Sequence, residues 1–393
     1  MSVQDLALQR SKYKHLTDEE WRWFLQQVEG RERTADKLPA FAAIEDWWYP
    51  VRLSCEQCSS ELTARYKAEI VNGKWSNGKC LDLTGGYGVD TYFLSEVFDH
   101  TDYVEQNPEL CRIAKHNFSL QHSAIRIQNA TAEEFLKTAG QYDLIFLDPA
   151  RRDSHGGKVF RLEDCTPNVV EILPELIAHL KPEGRLMLKL SPMLDLTQAL
   201  KELSAFNLQW SVFVVAIKNE VKELLLLSQE PIANSQEPIA NSQEPTITAI
   251  DLDKKDQAFV FTREEESNSP MVNGKWLNGK WLYEPNAAIL KAGAYKLIAQ
   301  RFGLHKLDVN THLYTSDTLI PDFPGRVWNI KECLNGKINE KMVHGQMVNV
   351  LVRNYPLTPD RLKKKLHLRD GGTDYVIGCR IAGKPTLLWA ERV

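Results

Sequence analysis

No stretch of this chain of 393 residues approaches the roughly 20 consecutive apolar residues that cross a bilayer. The opening residues, Met1-Ser2-Val3-Gln4-Asp5, carry no apolar signal core, and charges recur through the first forty positions. These absences lead us to expect a cytoplasmic protein with no membrane partner. Cysteine is also sparse: seven residues, an odd and scattered set. That suits reduced thiols better than a disulfide framework. Only Cys55 and Cys58 are spaced as C-x-x-C. A single such pair does not make a zinc site, and no strand-then-helix unit leads into it, as a redox motif requires. No metal is expected. A large excess of either charge is missing too, with a formal net charge of −4. Hydrophobic residues make up 43% and charged residues 25%, the balance of a soluble globular chain.

The distribution of charge says more than its sum. Residues 283–393 hold 17 Lys/Arg against 10 Asp/Glu, whereas residues 1–282 hold 31 against 42. A basic C-terminal module on an acidic body suggests a polyanion partner; a solvated basic face is the plainer alternative. The length exceeds what one hydrophobic core usually organises, so two or three domains are expected.

Residues 1–70 read as a helical region. Thr17-Asp18-Glu19-Glu20 is a capping-box pattern ahead of Trp21, Phe24, Leu25 and Val28 at helical spacing. A second helix is expected from Ser59 to Ile70, with Trp47-Trp48-Tyr49-Pro50 between them as a packed aromatic turn. From Cys80 the period changes. Strands are expected at Leu81–Leu83, Tyr103–Glu105, Ile125–Gln128, Tyr142–Leu147 and Arg185–Leu190, then at 212–217 and 223–227. Helices alternate with them at Thr91–Phe98, Pro108–Leu120 and Val169–Leu180. Such alternation predicts a parallel sheet covered by helices on both faces, within a domain spanning 71–270. That domain contains a low-complexity loop at 228–246, in which Ser228 to Asn234 repeats as Ser235 to Asn241. A polar heptad containing Pro cannot bury a core.

Asn-Gly-Lys recurs at Asn72, Asn77, Asn273, Asn278 and Asn335, and the pattern predicts hairpin tips. One copy nearly spells a P-loop, Gly73-x4-Gly78-Lys79. A P-loop needs Ser or Thr next and a strand before it; here Cys80 follows and the strand comes after. The C-terminal module, 283–393, is expected to open with an amphipathic helix over Glu284–Phe302, with Ile289, Ala292, Leu297 and Ile298 as apolar contacts, followed by a mixed α/β unit.

The chemistry begins at Asp82-Leu83-Thr84-Gly85-Gly86-Tyr87-Gly88. A strand runs into a turn holding Gly85, Gly86 and Gly88, then into a helix, so the backbone can approach a ligand closely. Glu105 ends the next strand, 23 residues after Asp82, where a carboxylate accepts hydrogen bonds from both ribose hydroxyls of a nucleoside cofactor. A dinucleotide site fits that spacing too, but the turn is not G-x-G-x-x-G. Glycines at 86 and 88, with an Asp four residues before the first, have the methyltransferase form. Asn129, after the next strand, is a candidate for the adenine edge or a plain turn residue. The candidate cofactor residues are Asp82, Thr84, Gly85, Gly86, Gly88, Glu105 and Asn129.

Asp148-Pro149-Ala150-Arg151-Arg152 ends the fourth strand, at the edge of the sheet where ligands of open α/β folds sit. Asp-Pro there resembles the (Asp/Asn)-Pro-Pro-aromatic motif of enzymes that methylate exocyclic amines. The Asp148 carboxylate and Pro149 carbonyl can orient such a weak nucleophile, a catalysis of positioning. Ala150 and Arg151 depart from the motif, which leaves the target atom open. Arg151 and Arg152 are read either as holding a phosphate or as surface arginines. Lys189 and Ser191 border the same edge with no assigned role.

The chain resembles bacterial class I S-adenosylmethionine (SAM)-dependent methyltransferases that carry a C-terminal THUMP-like domain. The resemblance rests on Glu56-Gln57-Cys58-Ser59-Ser60-Glu61 through Tyr66-Lys67-Ala68, Asp82-Leu83-Thr84-Gly85-Gly86, Asp148-Pro149-Ala150-Arg151, Glu284-Pro285 with Lys291-Ala292-Gly293, His312-Leu313-Tyr314-Thr315-Ser316, Phe323-Pro324-Gly325-Arg326, Arg353-Asn354-Tyr355-Pro356 and Asp370-Gly371-Gly372. It implies a Rossmann-like methyltransferase sheet with an N-terminal helical region, a C-terminal α+β, ferredoxin-like or THUMP-like module, SAM as cofactor and RNA as partner. The basic run Arg361, Lys363, Lys364, Lys365, His367 and Arg369 suits phosphate contacts. The expected function is methylation of a base nitrogen in structured RNA, rRNA or tRNA. The rival readings are a protein or small-molecule methyltransferase, and an RNA-binding protein that kept the fold without the chemistry.

Overall fold

A computed structural model describes residues 3–73, 75, 77–121, 124–151, 161–206, 208–229, 244–270, 280–334 and 341–393. The chain divides into two compact units. One comprises residues 1–210 and 225–242, the other residues 211–224 and 243–393.

The first unit opens with helices. Asp18–Thr34 starts where the sequence places a cap: Thr17 Oγ1 accepts from the Glu20 N–H at 3.3 Å, and the Glu20 carboxylate accepts from the Thr17 N–H at 2.7 Å. The two bonds satisfy donors that the first turn leaves open. A further helix, Glu61–Val71, is capped by Ser60, whose Oγ accepts from the Thr63 N–H. Between them Phe41, Trp47 and Tyr49 are buried against Tyr87, Tyr92 and Phe93. The Trp47 indole donates to Tyr87 Oη at 2.9 Å, so the aromatic turn is indeed packed.

The strands that follow are β1 (Lys79–Asp82), β2 (His100–Glu105), β3 (Ile125–Asn129), β4 (Tyr142–Leu147), the two-residue pair β5 (Ala150–Arg151) and β6 (Cys165–Thr166), and β7 (Leu180–Leu190). The central sheet of this unit runs β7-β4-β1-β2-β3, every neighbour parallel. All six residues of β4 are buried, which is why its sequence is an unbroken apolar run apart from Asp143. From β1 the chain steps outward to β2 and β3, then returns to place β4 on the other side of β1. That reversal opens a crevice at the carboxyl ends of β1 and β4, the usual ligand position in such sheets.

β8 (Trp210–Ile217) and β9 (Glu220–Ser228) follow, with Leu225–Ser228 of β9 belonging to the first unit. Ser228, expected to open the low-complexity loop, is instead fully buried in β9, and its Oγ accepts from the Leu186 N–H at 2.8 Å. Most of the repeat itself, 230–243, lies outside the described residues. In the second unit β10 (Thr246–Asp251) pairs with β8 in parallel and with β11 (Phe259–Thr262) antiparallel.

The C-terminal module contains β12 (Trp281–Pro285), β13 (His305–Asp308), β14 (Thr311–Ser316), β15 (Gly325–Cys333), β16 (Asn349–Arg353), β17 (Asp374–Ile381) and β18 (Lys384–Arg392), in the order β13-β14-β12-β15-β18-β17-β16. Neighbours are antiparallel except β16 and β17, whose parallel connection carries the helix Pro359–Leu366. The long helix expected over Glu284–Phe302 is broken. Glu284 and Pro285 belong to β12, and two short helices, Ala287–Ala292 and Leu297–Phe302, flank Gly293 at φ 84°. The left-handed glycine ends the first helix. The four apolar contacts Ile289, Ala292, Leu297 and Ile298 are all buried as expected.

Asn72 and Asn77 lie between the Glu61–Val71 helix and β1, whose neighbours are parallel, and among the described residues no hairpin is formed there. Asn273, Asn278 and Asn335 lie outside the described residues.

Candidate active site

The turn after β1 is held by its own side chains. Asp82 is buried, with Oδ1 accepting from the Thr84 N–H at 3.0 Å and Oδ2 from the Thr91 hydroxyl at 2.5 Å. Burial pushes its carboxyl up to about 7, against the lowering effect of those two bonds. Asp82 thus braces the turn from beneath. Gly85 donates to the Val104 carbonyl, Gly88 to the Gly85 carbonyl, and the Tyr103 hydroxyl donates to the Gly86 carbonyl at 2.7 Å. Gly86 and Gly88 sit at φ 54° and 85°, and Gly88 leads into the helix Val89–Leu94.

Glu105 closes β2 beside this turn. One carboxylate oxygen accepts from the Gly86 N–H at 2.9 Å, the other from the Asn107 N–H at 2.8 Å. The β2–β3 register sets Glu105 opposite Asn129, whose amide donates to the Glu105 and Gln106 carbonyls at 2.8 and 3.0 Å. These residues fit a nucleoside ligand. A Cβ placed on Gly86 would meet nothing nearer than the Thr84 carbonyl oxygen at 3.8 Å, so the turn is open above it. Each Glu105 oxygen retains a lone pair for a ribose hydroxyl. Glycines 85 and 88 serve packing instead: their Cβ positions fall 2.1 Å from the Tyr103 ring and 2.6 Å from the Phe118 ring.

Asp148 emerges from β4 directly across from the turn. Its N–H donates to Thr84 Oγ1 at 2.7 Å, and its carboxylate is paired with the Lys189 ammonium at the end of β7. Lys189 also lies 3.6 Å from Asp90 Oδ2. Asp90 belongs to the helix that follows the turn. It accepts from the Ser59 hydroxyl at 2.7 Å and pairs with Lys67 at 3.2 Å. The Lys67 side chain is 0% exposed. Burial disfavours the charged form of Asp90, yet Lys67 and Lys189 together hold its carboxyl below the ordinary range. The result is an alternating row of charge, Lys67–Asp90–Lys189–Asp148, beneath the carboxyl edge of the sheet. Pro149 is buried beside Asp148, and Ser191 Oγ accepts from the Met193 N–H at 3.3 Å.

Sequence reasoning placed Ser59 and Lys67 only in a stretch of family resemblance, and gave them, Asp90 and Lys189 no role. Lys67 carried a signal, since it falls on the apolar face formed by Ala64, Ala68 and Val71. Arg151 contributes backbone to β5, opposite Cys165, and Arg152 lies outside the described residues. Cys55 and Cys58 donate to the Pro50 and Cys55 carbonyls, and burial pushes both thiols up, Cys55 to about 12. Among the described residues no three His, Cys, Asp or Glu side chains group as metal ligands.

In the second unit the helix Pro359–Leu366 buries Leu362 and Leu366 and exposes Arg361, Lys364 and Lys365, with Arg369 exposed just beyond. Lys363 is tied to Asp370 at 2.6 Å. Arg361, Lys364 and Lys365 therefore share one surface of the helix.

The parallel sheet, the reversal between β1 and β4, and the glycine turn facing the Glu105 carboxylate define a Rossmann-like methyltransferase of class I. The chain belongs to the family of a Porphyromonas gingivalis W83 protein whose crystal structure is described as a "putative methyltransferase": the two are 31% identical, with a TM-score of 0.81 over 96% of this chain and 92% of that one. It is also 23% identical over 370 residues to an uncharacterized S-adenosylmethionine-dependent methyltransferase of Mycobacterium tuberculosis, covering 91% of this chain and 92% of the relative. Residues 281–324 match a ferredoxin-like domain, and residues 325–392 match a THUMP domain-like family.

Proposed function

We propose that this SAM-dependent methyltransferase modifies a base nitrogen in structured RNA. The reading is carried by Asp148, held at the crevice between β1 and β4 through its backbone N–H by Thr84 and through its carboxylate by Lys189, beside an open glycine turn. Glu105 holds the ribose and Asn129 the adenine edge, while Gly86 lets the ligand approach the backbone. Asp82, Gly85 and Gly88 shape the turn that makes this possible. When bound, SAM supplies an electrophilic methyl group whose C–S bond breaks with its electron pair returning to sulfur.

Asp148 and the Pro149 carbonyl accept hydrogen bonds from the attacking nitrogen and aim its lone pair. Once that nitrogen carries the methyl group it must lose a proton. The Asp148 side chain is 36% exposed, so a proton taken by its carboxylate has a path to water. RNA is favoured over protein as the acceptor by the THUMP domain-like match and by the excess of basic residues over 283–393. Arg361, Lys364, Lys365 and Arg369 would contact phosphates, which position an RNA without reading its sequence. The base would be splayed out or flipped into the crevice.

The test is tritium transfer from labelled SAM to total RNA from a strain lacking the protein, using wild-type and Asp148→Ala enzyme. Label in RNA that ribonuclease releases and the variant does not produce is the expected result. Measurable SAM binding without RNA labelling would replace RNA by a protein or small molecule.

A further inference from the structure

Asp90 has the Lys67 ammonium at 3.2 Å and the Ser59 hydroxyl at 2.7 Å, with Lys189 as a second cation 3.6 Å away. Lys189, with a side chain only 11% exposed, also pairs with the Asp148 carboxylate. No other described residue forms an ion pair or hydrogen bond with the Asp148 carboxylate. A strand-end Asp with a side chain about a third exposed has rotamer freedom and solvent access. A neutral bracing residue would leave both in place.

We infer that Lys189 is a positioning residue for methyl transfer, and the inference rests on the assignment of Asp148 above. The Lys189 ammonium, backed by Asp90, locks the Asp148 carboxylate into one orientation. A carboxylate oxygen held there accepts a hydrogen bond from the N–H of an incoming amine. Asp90 lies two residues beyond Gly88 in the helix that follows the cofactor turn. The same row therefore fixes the nucleophile-holding carboxylate relative to the turn that binds the donor. Near-attack geometry depends on just this relation.

Lys189→Met, Lys189→Arg, Asp148→Asn and the double variant Lys189→Met/Asp148→Asn test the inference in the tritium assay. Melting temperature and SAM affinity by calorimetry are measured alongside. Because Asp90 keeps Lys67 and Ser59, Lys189→Met is expected to fold and to bind SAM as the wild type does. Its kcat should fall by about 10²-fold, the scale of a misplaced acid–base group, and Lys189→Arg should recover most of that loss. In the Asp148→Asn background Lys189→Met should have little further effect. Undiminished turnover in Lys189→Met would overturn the inference, as would an equally large effect in the Asp148→Asn background. If Lys189→Met fails to fold, Lys189→Arg decides, since a folded arginine variant without recovered turnover against Asp148→Asn would also overturn it. Wild-type enzyme that labels no RNA would overturn the RNA reading, and this inference with it. Labelling by wild type and equally by Lys189→Met would overturn the inference alone.

Discussion

Thr84 Oγ1 accepts a hydrogen bond from the Asp148 N–H at 2.7 Å, across 64 residues of chain. One hydroxyl thereby ties the turn after β1 to the end of β4. Thr84→Val keeps the branched shape and removes the acceptor, so the Asp148 N–H loses its partner. The expected stability loss is about 1–3 kcal/mol, the usual result of stranding a polar group that is shielded from water. Turnover should fall more than SAM affinity, because the displaced atoms belong to Asp148. Thr84→Ser should restore both. Chemical denaturation and single-turnover labelling read the two effects separately.

The glycines of the turn should divide into two kinds. A methyl group at Gly85 would stand 2.1 Å from the ring of Tyr103, which is fully buried and anchored by its hydroxyl to Gly86. Gly85→Ala should cost about 1–3 kcal/mol through overpacking. A methyl at Gly86 meets open space, and the left-handed backbone alone costs roughly 1–2 kcal/mol. The same methyl would occupy the approach to the turn, so Gly86→Ala should lose SAM affinity out of proportion to its stability. Thermal melts with and without SAM test the contrast. A Gly86→Ala protein stabilised by SAM as strongly as wild type would remove the ligand from this turn.

Asp82 predicts a pH dependence of stability. Its folded carboxyl titrates at about 7, well above the ordinary value near 4, because burial disfavours the anion. The unfolded chain releases its proton first as pH rises. The contribution of the protonated Asp82 to stability is therefore complete below about pH 4 and is lost as pH climbs to 7. Asp82→Asn stays neutral, can still accept from the Thr84 N–H, and can donate to Thr91. Urea melts between pH 4.5 and 7.5 should show stability falling less steeply with pH in the variant than in wild type. Parallel curves would place the Asp82 titration outside this window.

What was legible in the sequence was local or periodic. The Thr17–Glu20 cap, the apolar Tyr142–Leu147 strand and the glycine turn each announce themselves within about ten residues. Lys67, Asp90, Lys189 and Asp148 do not: they come from four separate elements and meet only once the parallel sheet is assembled. The Glu284–Phe302 error has the opposite cause. The apolar spacing there was real, and all four contacts are buried, but β12 claims Glu284 through pairing with Arg326 on β15. Gly293 then splits the remainder. Tertiary pairing outweighed a helical period that was correct for most of its length.

The basic helix of the C-terminal module makes the RNA reading quantitative. Leu362 and Leu366, four residues apart, bury one face. That leaves Arg361 and Lys364 exposed without an ion-pair partner among the described residues, whereas Lys363 is neutralised by Asp370. A cation that contacts a phosphate releases a counter-ion from the RNA, and its removal flattens the dependence of log Kd on log salt by about one unit. Arg361→Ala and Lys364→Ala should each flatten the slope in this way and weaken binding for unrelated sequences alike. Lys363→Ala should change it less, since Asp370 already offsets that charge. Fluorescence anisotropy on a structured RNA between 50 and 300 mM salt, an interval on the order of that over which such binding changes strongly, distinguishes these cases. Equal slopes for wild type and all three variants would move the RNA surface away from this helix.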